Sequence, residues 1–268
     1  MTDHLLRRLA PISSEGWELL DAEAKDRLTV ALGARRLVDF AGPHGWEFSA
    51  TNLGRTTALS GAPSDGVQAL QRRVLAAVEL RAAFTLSRAE LADADRGAVD
   101  VDLAPLDEAA HRLATAENRV VFHGFDDAAI TGIAQAATGD AVALGDDCAA
   151  YPRLVAHAVE ALLRAGVDGP YGLALGPDAY TRVLETTEHG GYPLLDHLRK
   201  IVGGPLVWAP GVEGAVVVSQ RGGDFLLDVG EDLSIGYTAH DADSVELYLV
   251  ESVTFRVATP EAAVALSP

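Results

Sequence analysis

The sequence contains a single cysteine, Cys148, among its 268 residues. One thiol cannot form a disulfide within the chain, and it excludes a zinc site made of several cysteines. No cation lies beside Cys148 to favour the thiolate, so we expect a small buried hydrophobic residue rather than a nucleophile.

Long apolar runs are also missing. The longest, such as residues 215–218, are far too short to cross a bilayer. Residues 1–10 carry charges and lack the apolar stretch of a signal peptide. We therefore expect a soluble cytoplasmic chain that does not bind a membrane.

Basic residues are scarce: 21 lysines and arginines stand against 39 acidic residues, for a formal net charge of −18. Such a balance disfavours a nucleic-acid-binding surface. Because like charges repel, any self-assembly of this chain must depend on shape and apolar contact rather than on bulk charge.

Catalytic motifs are absent. The sequence has no G-x-S-x-G elbow, G-x-G-x-x-G turn, Walker loop or H-E-x-x-H helix. The eight histidines do not recur at metal-binding spacing on one predicted helix face. The carboxylate groups Asp93 with Asp95 and Asp241 with Asp243 lie in polar stretches, which favours turns over acid–base pairs. We expect no enzymatic activity and no metal site.

An amphipathic helix is predicted near the N-terminus. Ser13 or Ser14 can cap it, and apolar residues then recur at spacings of three and four. These apolar positions are Trp17, Leu20, Ala24, Leu28 and Leu32.

Residues 42–73 are mostly polar, contain several glycines and have a strand-like pattern, with a turn predicted at 60–66. It has no strong apolar face with which to bury itself. An exposed two-stranded ribbon is marginal alone, so we predict an extended arm that needs a neighbouring chain.

The rest of the chain predicts an α+β fold. A helix is expected over 105–124 and a second one from Asp126, followed by alternating helices and short strands over 151–218. One long strand follows at 245–257, with alternating apolar residues interrupted only at Glu251.

Several ordered segments resemble the encapsulins of the linocin-like family. They are LAP at 9–11, GPHGWE at 42–47, FTL at 84–86, GPY at 169–171, GYPL at 191–194, RGGDF at 221–225 and DLSIGY at 232–237. The resemblance implies the fold of tailed-phage major capsid proteins (HK97-like). It further implies a peripheral domain of residues 1–40, 81–130 and 225–268, an extended loop of 41–80 and an axial domain of 131–224.

The same resemblance implies a shell of about sixty copies that encloses a cargo enzyme, bound through the cargo's C-terminal peptide. The residues implied for the peptide are Leu28, Leu32, Arg35, Arg36, Leu233, Ile235 and Tyr237. Leu233, Ile235 and Tyr237 recur with the period of one strand face. Ordinary core packing is the alternative for all seven.

A pore at the five-fold axis is implied for the loop Thr187, Glu188, His189, Gly190, Gly191 and Tyr192. Its glycines also fit a plain loop without gating. Some relatives bind a flavin on an aromatic residue where this chain has Ala89, so we expect no flavin and no other cofactor.

By family analogy the cargo is a dye-decolourising peroxidase or a ferritin-like protein, with roles in oxidative stress or iron storage. The alternatives are a phage-type capsid subunit and a bacteriocin or protease. The acidic charge argues against a lumen for nucleic acid, and a protease lacks its nucleophile–base motif here.

Overall fold

In a computed structural model of the chain, two five-stranded sheets and one separate hairpin make up the β-structure. The structure describes residues 4–139, 142–145, 147–188 and 190–268. The α-helices are α1 Ser14–Ala31, α2 Arg88–Asp95, α3 Ala104–His123, α4 Ile133–Ala136, α5 Tyr151–Arg164, α6 Pro177–Glu185 and α7 Leu194–Val202. The strands are β1 Asp39–Ala41, β2 Ala50–Ala58, β3 Leu70–Ala76, β4 Val78–Ser87, β5 Val142–Ala143, β6 Tyr171–Leu175, β7 Gly203–Trp208, β8 Ala215–Ser219, β9 Phe225–Val229, β10 Ser234–His240, β11 Ser244–Val257 and β12 Ala263–Ser267.

Helix α1 begins where the serines predict it. The Ser13 side chain accepts a hydrogen bond from the amide of Gly16 at 2.9 Å, which satisfies one of the free donors of the first turn. Leu20, Ala24 and Leu28 form its buried face. The predicted N-terminal helix is confirmed.

The first sheet is built around the long strand β11. Strand β4 pairs along one side of it, and β9 and β10 pair in succession along the other, with β1 outside β9. The predicted long strand is confirmed, and it runs through Glu251, which pairs with Leu80 of β4. Glu251 is fully buried.

The second sheet has the order β5-β12-β8-β6-β7. Its strands β6 and β8 are buried throughout, as the apolar runs predict. Strand β12 pairs antiparallel with β8, although it follows the long strand of the other sheet in sequence. The last residues therefore return to the mid-chain region, whereas the expected division of the chain placed all of 225–268 in the peripheral part.

The helix predicted from Asp126 is wrong. The chain forms one 3-10 turn at Asp126–Ala128, and Ala129 then adopts a left-handed backbone conformation with φ 54°. Phe125 and Ile130 exchange backbone hydrogen bonds of 2.8 and 3.1 Å across this turn. Gly132 packs so closely on Gly124 that a side chain there would clash with backbone. Ile130 is nevertheless buried, which is why the apolar spacing resembled a helix.

The hairpin of β2 and β3, which we call the arm, forms a separate two-stranded sheet. Its base is held by Thr51, whose hydroxyl donates to Asp228 at 2.8 Å. Leu59, Leu70 and Val74 are each at least half exposed. The predicted arm is confirmed as a hairpin that leaves apolar side chains uncovered within one subunit.

Two hydrophobic clusters form the core. The α1 cluster lies between α1, α3, β4, β10 and the first half of β11, and the mid-chain cluster surrounds the second sheet. Three elements pass from one cluster to the other close to a charged residue: the chain after α1 between Leu32 and Ala34, just before Arg35, α3 at Glu117 and β11 at Glu251. We call this boundary the junction.

Asn118 ties the end of α1 to α3 at the junction, and its removal should be costly. Its buried amide accepts a hydrogen bond from the amide of Ala34 and donates to the carbonyls of Ala31 and Pro210 at 2.9 to 3.0 Å. Each buried backbone group left unpaired costs about 1–3 kcal/mol. We expect Asn118→Ala to lower the free energy of unfolding by at least about 2 kcal/mol in chemical denaturation. Arg119→Ala, on the exposed side of the same helix, is the control, and equal losses in the two variants would contradict this role.

Candidate functional site

A cavity of about 650 Å³ opens between α1 and the turn that leads into β10. The apolar residues that line it come from α1, from the turn before β10, and from the strands β10 and β11. These residues are Ala24, Leu28, Leu32, Leu233, Ile235 and Leu249. A space of this size with an apolar floor suits a few side chains of a peptide.

Six of the seven residues expected to hold a peptide line this one cavity: Leu28, Leu32, Arg35, Arg36, Leu233 and Ile235. Tyr237 does not line it. Its ring packs in the α1 cluster, and its hydroxyl lies 2.6 Å from Nδ1 of His240. The strand carries Tyr237 along β10, beyond the cavity.

The floor of the cavity is part of the hydrophobic core. Ile235 is 1% exposed and Leu28 is 4% exposed, so both are packed before any ligand arrives. Leu233, just before β10, is half-buried and is the more accessible apolar side chain. A charge at Ile235 would therefore disturb the core as well as the cavity.

The rim of the cavity is cationic. Arg7 pairs with Asp21 at 2.7 Å and stacks on Trp17. Lys25 and Arg36 are exposed, and neither forms an ion pair with another residue in the part of the chain that the structure describes. Two uncompensated cations in a chain of net charge −18 favour an occupant that carries a carboxylate.

The outer edge of β10 offers backbone groups to the same cavity. The amide of Tyr237 donates to the carbonyl of Leu5 at 2.9 Å, so the polar groups of this residue point away from β11. Ile235 lies two residues earlier and points the same way by strand alternation. A peptide added along this edge could bond to Ile235 in the manner of an extra strand.

Arg35 enters the wall of the cavity from the junction. Its Nε donates to Glu117 at 2.7 Å, its Nη1 to Asp232 at 2.8 Å and its Nη2 to Glu251 at 2.8 Å. Glu117 and Glu251 are 0% exposed. Burial and the neighbouring Glu117 raise the pKa of Glu251 well above its usual range. Burial opposes the charge of Arg35, but the two glutamates outweigh it and raise the pKa of the guanidinium.

The expected pore loop forms a tight turn. The amide of Glu188 donates to the carbonyl of Tyr192 at 2.8 Å, and Gly190 and Gly191 both have left-handed backbone angles. The Glu188 carboxylate lies 2.7 Å from Nδ1 of His197, which ties it to α7. His189 lies outside the described residues.

The other candidates behave as structural residues. Asp241 accepts hydrogen bonds from the amides of Asp243 and Ser244, which lower the pKa of Asp241, so the turn predicted there is confirmed. The turn predicted for Asp93 and Asp95 is wrong, because both lie in helix α2. Cys148 is half-buried against the mid-chain cluster. No group of three metal-ligating side chains occurs within the described ranges. No helix there is long and apolar enough to cross a membrane.

Ala89 lies in the first turn of α2, where the Ser87 side chain caps the helix. The ring of Tyr192 packs against Lys200 and His197. The absence of a flavin stays a prediction.

Sequence reasoning did not find Lys25, Asp232 and Leu249 in the cavity, nor the two buried glutamates of the junction. One signal was available. Glu251 occupies an inward position of an otherwise apolar strand, and a carboxylate there requires a buried cation.

The adjacent arginines provide a direct test of the junction. Removing the cation of a buried ion pair leaves uncompensated charge and costs about 3–5 kcal/mol. We expect Arg35→Met to lower the free energy of unfolding by about that amount in chemical denaturation. Arg36→Met, next to it but exposed and without an ion pair among the described residues, should change it by less than about 0.5 kcal/mol. Similar losses in both variants would contradict the assignment.

The sequence matches known proteins over nearly its whole length. Residues 1–254 match the family described as "Encapsulating protein for peroxidase". The chain is 52% identical to the type 1 encapsulin shell protein of Rhodospirillum rubrum, covering 98% of this chain and 95% of the relative. It is 43% identical to that of Mycobacterium tuberculosis, covering 99% of each. A ferritin-like-encapsulin shell fusion protein of Pyrococcus furiosus is 28% identical over 37% of this chain and 29% of its own length.

Solved structures share the fold. A virus-like particle from Pyrococcus furiosus superposes with a TM-score of 0.62 at 19% identity, covering 94% of this chain and 99% of the other. The capsid of an empty GTA particle superposes with a TM-score of 0.50 at 16% identity, covering 88% and 90%. The fold is therefore the α+β capsid fold predicted from the sequence. The relatives are named as shell proteins rather than as enzymes. The chain belongs to the encapsulin family of shell proteins, which form capsid-like particles.

Proposed function

We propose that about sixty copies of this chain close into an icosahedral shell in the cytoplasm, and that the shell encloses an enzyme bound through that enzyme's C-terminal peptide. The observation that carries the proposal is the cavity between α1 and β10, which brings together the apolar residues and cations expected to hold such a peptide. Any catalysis then belongs to the enclosed protein.

The arm is the part of the subunit that requires neighbours. An isolated two-stranded hairpin is only marginally stable in water. Its exposed side chains are removed from water only if another subunit packs on them. They belong to Leu59, Leu70 and Val74. We assign residues 41–80 to the extended loop that makes this contact.

We assign residues 1–40, 81–130 and 225–262 to the peripheral domain and 131–224 to the axial domain. Strand β12 joins the axial part, because it pairs with β8 and β5. In the axial part the loop at 187–192 is proposed to line the five-fold pore. The carboxylate of Glu188 is tied to His197 there, so we expect it to be less available to line the pore.

Peptide binding follows from the shape and charge of the cavity. An apolar side chain can reach Leu233, while a carboxylate can pair with Lys25 or Arg36 at the rim. The backbone of the peptide can extend the edge of β10 beside Ile235. Several weak contacts in each of many subunits would retain a cargo firmly.

The cargo is proposed to be a dye-decolourising peroxidase or a ferritin-like protein. The family description names a peroxidase. A relative of this chain is named as a fusion of a ferritin-like unit with an encapsulin shell. Co-expression of the shell with each candidate, with and without its C-terminal tail, tests the choice. The tailed form alone should co-purify with particles seen by electron microscopy.

Charges on the arm should prevent assembly without unfolding the subunit. Leu70→Asp with Val74→Asp places two carboxylates where we propose apolar contact with a neighbour. We expect sedimentation velocity to show free subunits or small oligomers while circular dichroism stays unchanged. Val99→Asp, at a residue that is 99% exposed, is the control. Normal shells from the double variant would contradict the assignment.

A charge in the cavity should empty the shell. Leu233→Glu adds a carboxylate to the apolar lining at its more accessible residue, and opposes an apolar anchor. We expect shells of normal size in electron microscopy with cargo reduced at least about tenfold by gel densitometry. Val99→Glu should load normally. Full loading of Leu233→Glu shells would exclude this cavity as the docking site.

A further inference from the structure

The junction contains more negative charge than its cation can balance. Two carboxyl groups, Glu117 and Glu251, lie fully buried and both contact Nη2 of the single guanidinium of Arg35, at 2.6 and 2.8 Å. A third, on Asp232, is nearer the surface. Placing an uncompensated charge in a protein interior is strongly unfavourable, so the buried pair is expected to hold a proton.

The unpaired oxygens support the same conclusion. Each buried glutamate uses its Oε2 to accept from Arg35, and each leaves its Oε1 buried without a hydrogen-bond partner among the described residues. Two deprotonated carboxylates cannot hydrogen-bond to each other, because neither has a hydrogen to donate. One proton supplies that donor, so that a protonated Glu251 can donate a hydrogen bond to Glu117.

The place of the pair in the fold connects it to the cavity. Arg35 lines the cavity with its neighbour Arg36, while its guanidinium is held by α3 and β11 from behind. The same residues mark the boundary at which α3 and β11 leave the α1 cluster. A change of charge at the pair therefore acts on the wall of the cavity through Arg35.

We propose that Glu117 and Glu251 are positioning residues that share one proton and thereby hold Arg35 in the cavity wall, so that loss of this proton as the pH rises loosens the junction and weakens binding of the cargo peptide. The part concerning the peptide rests on the proposed function. The part concerning the junction does not.

The groups around the pair are few. Those acting on Glu251 are Glu117 of α3, Arg35 of the 3-10 turn Ala34–Arg36, and Asp232 before β10. Strand β4 contributes the apolar Leu80 opposite Glu251. Its charged residues Glu79 and Arg81 bond to each other at the surface.

The direction of the pH effect follows from proton linkage. Burial, followed by repulsion from Glu117, raises the pKa of Glu251 in the folded chain. The folded state then binds this proton more tightly than the unfolded state. Stability from the pair is complete below the usual glutamate pKa, and it falls as pH rises towards the raised pKa. Lowering the pH does not remove this stability.

The test compares wild-type shells with Glu251→Gln, whose amide keeps a donor at every pH. Unfolding midpoints in denaturant are followed by tryptophan fluorescence from about pH 6 to about pH 10. We expect the wild-type midpoint to fall with pH relative to the variant, so that the gap between them widens. Glu246→Gln, exposed on the same strand, should follow the wild type. If Glu251→Gln fails to fold, Glu117→Gln serves instead.

The peptide is tested with a fluorescein-labelled C-terminal tail of the candidate cargo, by anisotropy. Wild-type affinity should fall by up to about tenfold per pH unit above the raised pKa, and Glu251→Gln should flatten the profile. Parallel pH profiles of wild type and variant, in both unfolding and binding, would overturn the proposal. A peptide that binds neither protein at any pH counts against the proposed cavity, and the unfolding data alone then decide the shared proton.

Discussion

The ion-pair network of Arg35 with Glu117 and Glu251 is the interaction on which the rest of the subunit depends. It lies where the chain after α1, helix α3 and strand β11 all pass from one hydrophobic cluster to the other. Because buried charges tolerate little misalignment, the network fixes how these elements meet. The cavity between α1 and β10 has Arg35 in its wall, so its shape follows from the same constraint.

The subunit is otherwise arranged for contact rather than for chemistry. Asp241 and Asp243 form a turn, whereas Asp93 and Asp95 lie at the end of helix α2. The arm leaves apolar side chains uncovered, and assembly with other copies is the means of covering them. A virus-like particle and the capsid of a GTA particle share this fold at 19% and 16% identity, so the fold itself does not decide what is enclosed.

Elements that depend mainly on local interactions were predictable from the sequence. The serine cap of α1 and the apolar run of β8 were both readable from the sequence. The sequence misled at two places: backbone hydrogen bonds between Phe125 and Ile130 replace the helix expected from Asp126, and β12 pairs with a sheet formed much earlier in the chain. Six of the seven residues that the resemblance implied for peptide binding line one cavity, and Tyr237 does not; their binding of a peptide stays a prediction. The burial of the cavity residues, and the two glutamates that bind Arg35, became visible only in the structure.

The most direct measurement is a cryo-electron microscopy reconstruction of shells purified with their cargo, compared with empty shells. The account predicts extra density in the cavity beside Leu233 and the edge of β10 on the inner face of loaded shells, and none there in empty ones. Loaded shells in which this cavity is empty, with cargo density attached elsewhere, would contradict it.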